Sequence, residues 1–179
     1  MFWSEKIVLI ILLSVWLAGC KSENKAPDAI KNYFDIRGFF NSEATRLGSK
    51  NPIVLKTVSD NRTPERKKVR IADWQNELEL FSESDINKAS WKDSYNTKKD
   101  SNTVIYTARE AGLRTRKIRI TKSPTGKTSR IQIENKAENM LYTSVENLDY
   151  YPDSLYIIDK FQKVRILGPH KYLITGKLK

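Results

Sequence analysis

Between Trp91 and the C-terminus the apolar positions repeat with a period of two. Val104, Tyr106 and Ala108 alternate with polar residues, as do Ile118 and Ile120, Ile131 and Ile133, and Leu141, Thr143 and Val145. Leu155, Ile157 and Phe161 fall on one face of a long strand; Tyr156, Ile158, Val164 and Ile166 fall on the other. Tyr172, Ile174, Gly176 and Leu178 form a last set. Turn-forming stretches separate them: KDSN (99–102), SPTG (123–126), NKAEN (135–139), YPDS (151–154) and LGPH (167–170). Strands at this spacing, joined by short turns, predict an antiparallel meander.

The earlier part of the chain reads differently. Ile30, Tyr33, Phe34, Ile36, Phe40, Ala44 and Leu47 recur at helical spacing, which predicts a helix from an Asp28 cap to about Leu47, stopped by Gly48 and weakened at Gly38. Ile53–Ser59 reads as a strand. The following DNRTPERKKVR (60–70) has no apolar period before Val69 and reads as an exposed loop or hairpin arm. Asp73 caps a second predicted helix, about 74–83, with Trp74, Leu78 and Phe81 on its buried face and Glu77, Glu79 and Glu83 on its wet one. The expected fold is α+β: two N-terminal helices packed on one face of a curved antiparallel β-meander of about seven strands.

The first 25 residues belong to no such domain. Ile7 to Ala18 is a run of twelve almost wholly apolar positions, shorter than the roughly 20 a membrane-spanning helix needs. It ends at Gly19-Cys20, followed by the polar Lys21, Ser22, Glu23, Asn24 and Lys25. Leu17-Ala18-Gly19-Cys20 resembles the lipobox of bacterial lipoproteins, the motif that ends a type II signal peptide. The resemblance implies that residues 1–19 are a signal peptide, that the Cys20 thiol is alkylated with diacylglycerol, and that the new N-terminus receives a further acyl chain such as palmitate. Two or three chains hold a protein to a bilayer nearly permanently, at about 0.8 kcal/mol per buried CH₂. Lys21 stands after the cysteine where an Asp would imply inner-membrane retention, so the resemblance points to the outer membrane, with the domain on its periplasmic or surface face. The organisation is then a signal peptide (1–19), a lipidated tether (20–27) and one globular domain (28–179).

The processed chain keeps the formal net charge of +11, since residues 1–19 hold one Lys and one Glu. In the cell envelope such a basic surface faces lipid headgroups and acidic envelope polymers rather than nucleic acid. Cys20 is the only cysteine, so disulfides and cysteine metal sites are excluded. Gly126-Lys127-Thr128 suggests a phosphate loop, but the pattern needs a glycine where Thr121 stands. His170, the only histidine, has no triad or metal-site company. The sequence therefore predicts no enzyme, no metal and no cofactor.

The densest chemical feature is RTRKIRITKSPTGKTSR (114–130), with seven cations and no acid: Arg114, Arg116, Lys117, Arg119, Lys122, Lys127 and Arg130. On a hairpin these side chains can gather into a patch for phosphate or carboxylate. Charged residues that protect a sheet edge would read the same way. The expected function is a non-enzymatic binding or accessory domain of an envelope lipoprotein. Its partners would be the membrane through its anchor, an anionic lipid or envelope polymer, and an envelope protein. The alternative is a carrier or acceptor of a lipid or other apolar ligand in a cavity between sheet and helices.

Overall fold

The structure, a computed structural model, describes residues 32–60, 63–165 and 168–179. The expected signal peptide, the expected lipidation at Cys20, the expected tether and the expected Asp28 cap lie outside the described residues. One sheet of nine antiparallel strands dominates the rest. In chain order the elements are α1 (Ile36–Lys50), β1 (Ile53–Asp60), β2 (Glu65–Arg70), α2 (Trp74–Glu77), α3 (Glu79–Ser82), a 3₁₀ turn (Ala89–Trp91), β3 (Tyr95–Lys99), β4 (Thr103–Ala108), β5 (Thr115–Lys122), β6 (Thr128–Glu138), β7 (Tyr142–Tyr151), β8 (Leu155–Val164) and β9 (Gly168–Leu178).

The spatial order is β2-β1-β9-β8-β7-β6-β5-β4-β3. Strands β3 to β9 form the meander. The β1–β2 hairpin, which lies between the helices in sequence, joins the far edge against β9. Nine strands rather than about seven is a correction, and so is the arrangement, because the helices do not simply precede the sheet. Both added strands are edges. Glu65–Arg70 (ERKKVR) and Tyr95–Lys99 (YNTKK) each bury at most one side chain. An edge strand facing solvent has little apolar demand to meet, so alternation is weak there, and its lysines and arginines discourage further strand pairing.

Helix α1 begins at Ile36, not Asp28. Asp35 is the N-cap and accepts from Gly38 N–H at 2.9 Å. The helix ends at Lys50 rather than Leu47, where Asn51 adopts the left-handed conformation (φ 43°) and donates its N–H to Leu47 O. Ile36, Phe40, Ala44 and Leu47 are its buried stripe. The second predicted helix is two short ones, broken at Leu78. Asp73 caps the first, and Trp74, Leu78 and Phe81 are buried as the spacing requires.

The helices cover the sheet face that carries Tyr150, Tyr156, Leu148, Ile158, Ile131, Ile133, Ile118 and Ile120. Register places Tyr156 opposite Tyr150, Tyr150 opposite Ile131, and Ile131 opposite Ile120. Aromatic rings fill the layer: Phe40 meets Phe81 at 4.9 Å and Tyr150 at 5.1 Å, and Trp74 meets Tyr156 edge-on at 6.3 Å. The opposite face carries Leu155, Ile157, Val145 and Phe161 among charged residues, half-buried or exposed. Leu141, Thr143 and Val145 therefore do not form the inward set on β7; Ser144, Glu146, Leu148 and Tyr150 do.

Candidate anion-binding site

The β5–β6 hairpin is interior to the sheet, between β4 and β7, so edge protection does not explain its cations. That role falls to β2 and β3. Pairing sets Lys117 opposite Glu134, Arg119 opposite Gln132 and Thr121 opposite Arg130, on the face away from the helices. Two of these cations meet acids. Lys117 lies 3.3 Å from Glu134, and Arg130 lies 2.6 Å from Asp149 with its guanidinium 4.9 Å over the Tyr151 ring. Arg119 pairs with no acid among the described residues. Lys122 and Lys127 flank the 123–126 turn at one end of the sheet. There Gly126 (φ 80°) closes on Ser123 O at 2.9 Å, and Ser129 is the extra residue of a bulge.

Arg114 and Arg116 stand at the other end, roughly 25 Å away at about 3.3 Å per strand residue. The seven cations are thus not one patch. They divide between two ends and an outer face, and Arg114 and Arg116 share the wall of a cavity. Arg116 is the extra residue of a second bulge, between Thr115 and Lys117, and such an irregularity re-aims a side chain.

The cavity has a volume of about 380 Å³, and Gly112, Arg114, Arg116, Lys136, Glu138 and Tyr142 are among its walls. Three cations face one carboxylate there. Lys136 holds Glu138 at 2.7 Å, and that bond, with the ammonium's charge, lowers the Glu138 pKa. Arg114 reaches Glu146 at 2.8 Å. Arg116 donates only to the backbone oxygen of Glu110, at 3.2 Å, and its buried Nε has no partner among the described residues. Arg116 thus brings to the cavity wall a guanidinium with no carboxylate partner among the described residues, a group suited to a planar or tetrahedral oxyanion.

Glu146 organises the wall behind it. It is 5% exposed. It accepts from Arg114, from Lys160 at 3.1 Å and from Asn135 Nδ2 at 3.3 Å. Burial alone would raise its pKa, yet Arg114 and Lys160 outweigh burial and the pKa is lowered. Asn135 also donates to Ser84 Oγ at 2.8 Å, and the hydroxyl of the buried Thr115 donates to Ser84 O at 3.3 Å. These bonds tie the segment after α3 to the sheet.

Sequence reasoning found Arg114 and Arg116 and missed Lys136, Glu138 and Glu146. A signal for Glu146 was present: it keeps step with Leu148 and Tyr150, so it must share their inward face. His170 lies on β9 rather than in a turn, stacked at 6.3 Å on Tyr172. No known protein family, no curated protein and no solved structure matches the chain.

Proposed function

We propose that this chain is a lipid-anchored, non-enzymatic envelope domain, tethered through Cys20, that binds a phosphate-bearing partner in the Arg114–Arg116–Lys136 cavity. The observation that carries the reading is Arg116. It lines a cavity of about 380 Å³ with no carboxylate partner among the described residues, and two further cations stand beside it. That volume falls at the low end of the roughly 300–1,000 Å³ of small-molecule sites. The filled aromatic layer favours this reading over a carrier of apolar ligands, since Phe40, Phe81, Tyr150 and Tyr156 occupy the space between sheet and helices that such a ligand would need. An outer-membrane location supplies lipid and polysaccharide phosphates as neighbours.

The test is a titration of the full chain in neutral detergent with inorganic phosphate against chloride at matched ionic strength, followed by phosphorus NMR linewidth. Phosphate binding is expected, with at least a roughly tenfold loss for Arg116→Gln, since a charge-assisted bond contributes about 1.5–3 kcal/mol. No broadening beyond the chloride control removes the reading.

A further inference from the structure

The cavity shares its end of the sheet with the least protected apolar side chains described. Met140 is 86% exposed and Leu141 is 68% exposed. They form the tip of the β6–β7 hairpin. Asn139 Oδ1 accepts from the N–H of Leu141 at 2.8 Å and of Tyr142 at 2.9 Å. The tip backbone is thereby satisfied locally, and the two side chains project past the sheet largely exposed. Apolar residues scattered singly over a surface need no explanation. Two in succession at a projecting tip lose hydration free energy with no return inside the fold.

The chemistry around the tip is that of a bilayer surface. The end of β8 lies alongside, with Arg165 N–H donating to Leu141 O at 3.0 Å. Lys163 sits opposite Thr143, one position inward from the tip of the ladder. Lys163 and Arg165 are exposed and pair with no acid among the described residues. Tyr142, half in water, is both the next residue of the tip and a wall of the cavity. Apolar side chains beyond a collar of cations, with a tyrosine at the boundary, suit acyl chains, phosphates and the interfacial layer respectively. The described chain also starts at this end. Phe34 N–H donates to the Tyr106 hydroxyl at 3.1 Å, and Tyr106 lies two residues before the close of β4, beside the 109–114 connection that lines the cavity. Eleven residues separate Cys20 from Asn32, so a lipid anchor would be tethered from this end.

We infer that Met140 and Leu141 insert into the headgroup layer of an anionic bilayer, with Lys163 and Arg165 on its phosphates, so that the cavity opens onto the lipid headgroups. The inference rests on the lipid-anchor reading and deepens it. The orientation makes membrane phospholipid, rather than soluble phosphate, the natural occupant of the Arg116 site.

The test attaches an environment-sensitive dye to Met140→Cys in the full chain purified from envelopes and reconstituted in phosphatidylcholine vesicles with and without phosphatidylglycerol. Ser154→Cys, exposed at the opposite end of the sheet, is the control. With phosphatidylglycerol, the dye at 140 is expected to shift to the blue and to be quenched by a lipid-phase quencher, and the dye at 154 to remain aqueous. Adding Leu141→Asp should return the dye at 140 to water. An aqueous dye at 140 in both vesicle types overturns the inference and leaves the anchor reading standing. A second dye on every chain shows a free Cys20 thiol, and that outcome removes the anchor reading instead.

Discussion

The hydroxyl of Tyr156 donates to Glu77 Oε1 at 2.5 Å, while Lys56 meets the other carboxylate oxygen at 2.7 Å. Glu77 was expected on the wet side of its helix. It lies three residues after the buried Trp74, and that spacing places it beside the buried stripe. A matching bond joins Tyr150 to Glu43 at 2.5 Å, with Arg46 on the same carboxylate. Burial, then the bond to glutamate, raises both tyrosine pKa values well above the ordinary one, so both hydroxyls remain donors at any physiological pH. The helix layer is pinned to the sheet at these two points. Tyr156→Phe should cost about 1.5–3 kcal/mol in urea unfolding, the value of a hydrogen bond to a charged group. A double-mutant cycle with Glu77→Gln should show coupling; additive losses would mean that the bond contributes nothing of its own.

Gly176 stands opposite Tyr156 in the β8–β9 ladder. A Cβ there would lie 2.0 Å from two ring carbons of Tyr156. Gly176→Ala should therefore destabilise by about 1–3 kcal/mol, as overpacking does. Tyr156→Phe should not relieve it, because the ring and not only the hydroxyl is in the way. An unchanged melting temperature in Gly176→Ala would mean that the ring moves freely.

Gly38→Ala tests the α1 cap. In a helix this change ordinarily stabilises by roughly 0.5–1 kcal/mol. Here the new Cβ would fall 2.0 Å from Asp35 Oδ2, the carboxylate that caps the helix. Displacing the cap costs about 1 kcal/mol, so thermal unfolding should show no gain, with a net change between about zero and a loss of about 0.5 kcal/mol. A rise in melting temperature would show that the cap finds another position.

Acid unfolding should report on Glu146. Its folded pKa lies below the ordinary 4.5, so its contribution is present above pH 4.5 and is lost as pH falls through the folded value. Glu146→Gln strands two cations that are each about a third exposed, and a loss of roughly 1–2 kcal/mol at pH 7 is expected after allowing for solvent screening. The difference between the two proteins, measured by urea unfolding from pH 7 to 3, should narrow below pH 4.5. A constant difference would contradict the ionised, paired Glu146.

Where burial demanded alternation, the sequence was legible. β4 to β9 were all visible in the period-two pattern, though β6 runs on to Glu138 through NKAEN (135–139), which reads as a turn; Trp74, Leu78 and Phe81 were visible in the helical one. The edge strand β3 was not, and β2 was legible only as one of two readings, loop or hairpin arm, since neither needs an apolar face. Helix α1 was displaced because an apolar stripe continues through Tyr33 and Phe34, which pack on Tyr106 and Phe39 without being helical. The site was legible only in part. Arg114 and Arg116 were visible as charges, but their separation from Lys122 and Lys127 depends on strand length. Lys136 and Glu138 reach the cavity only through the register of β5 on β6, which residue spacing alone does not give.

The most direct measurement of the central claim, that this domain is held to a membrane by its own cysteine, is the intact mass of the chain taken from its native envelope. The expected mass is that of a polypeptide beginning at Cys20 and carrying diacylglycerol with a further acyl chain. An unprocessed chain from Met1 with an unmodified thiol would contradict it, and the bilayer orientation inferred for Met140 and Leu141 would lose its premise.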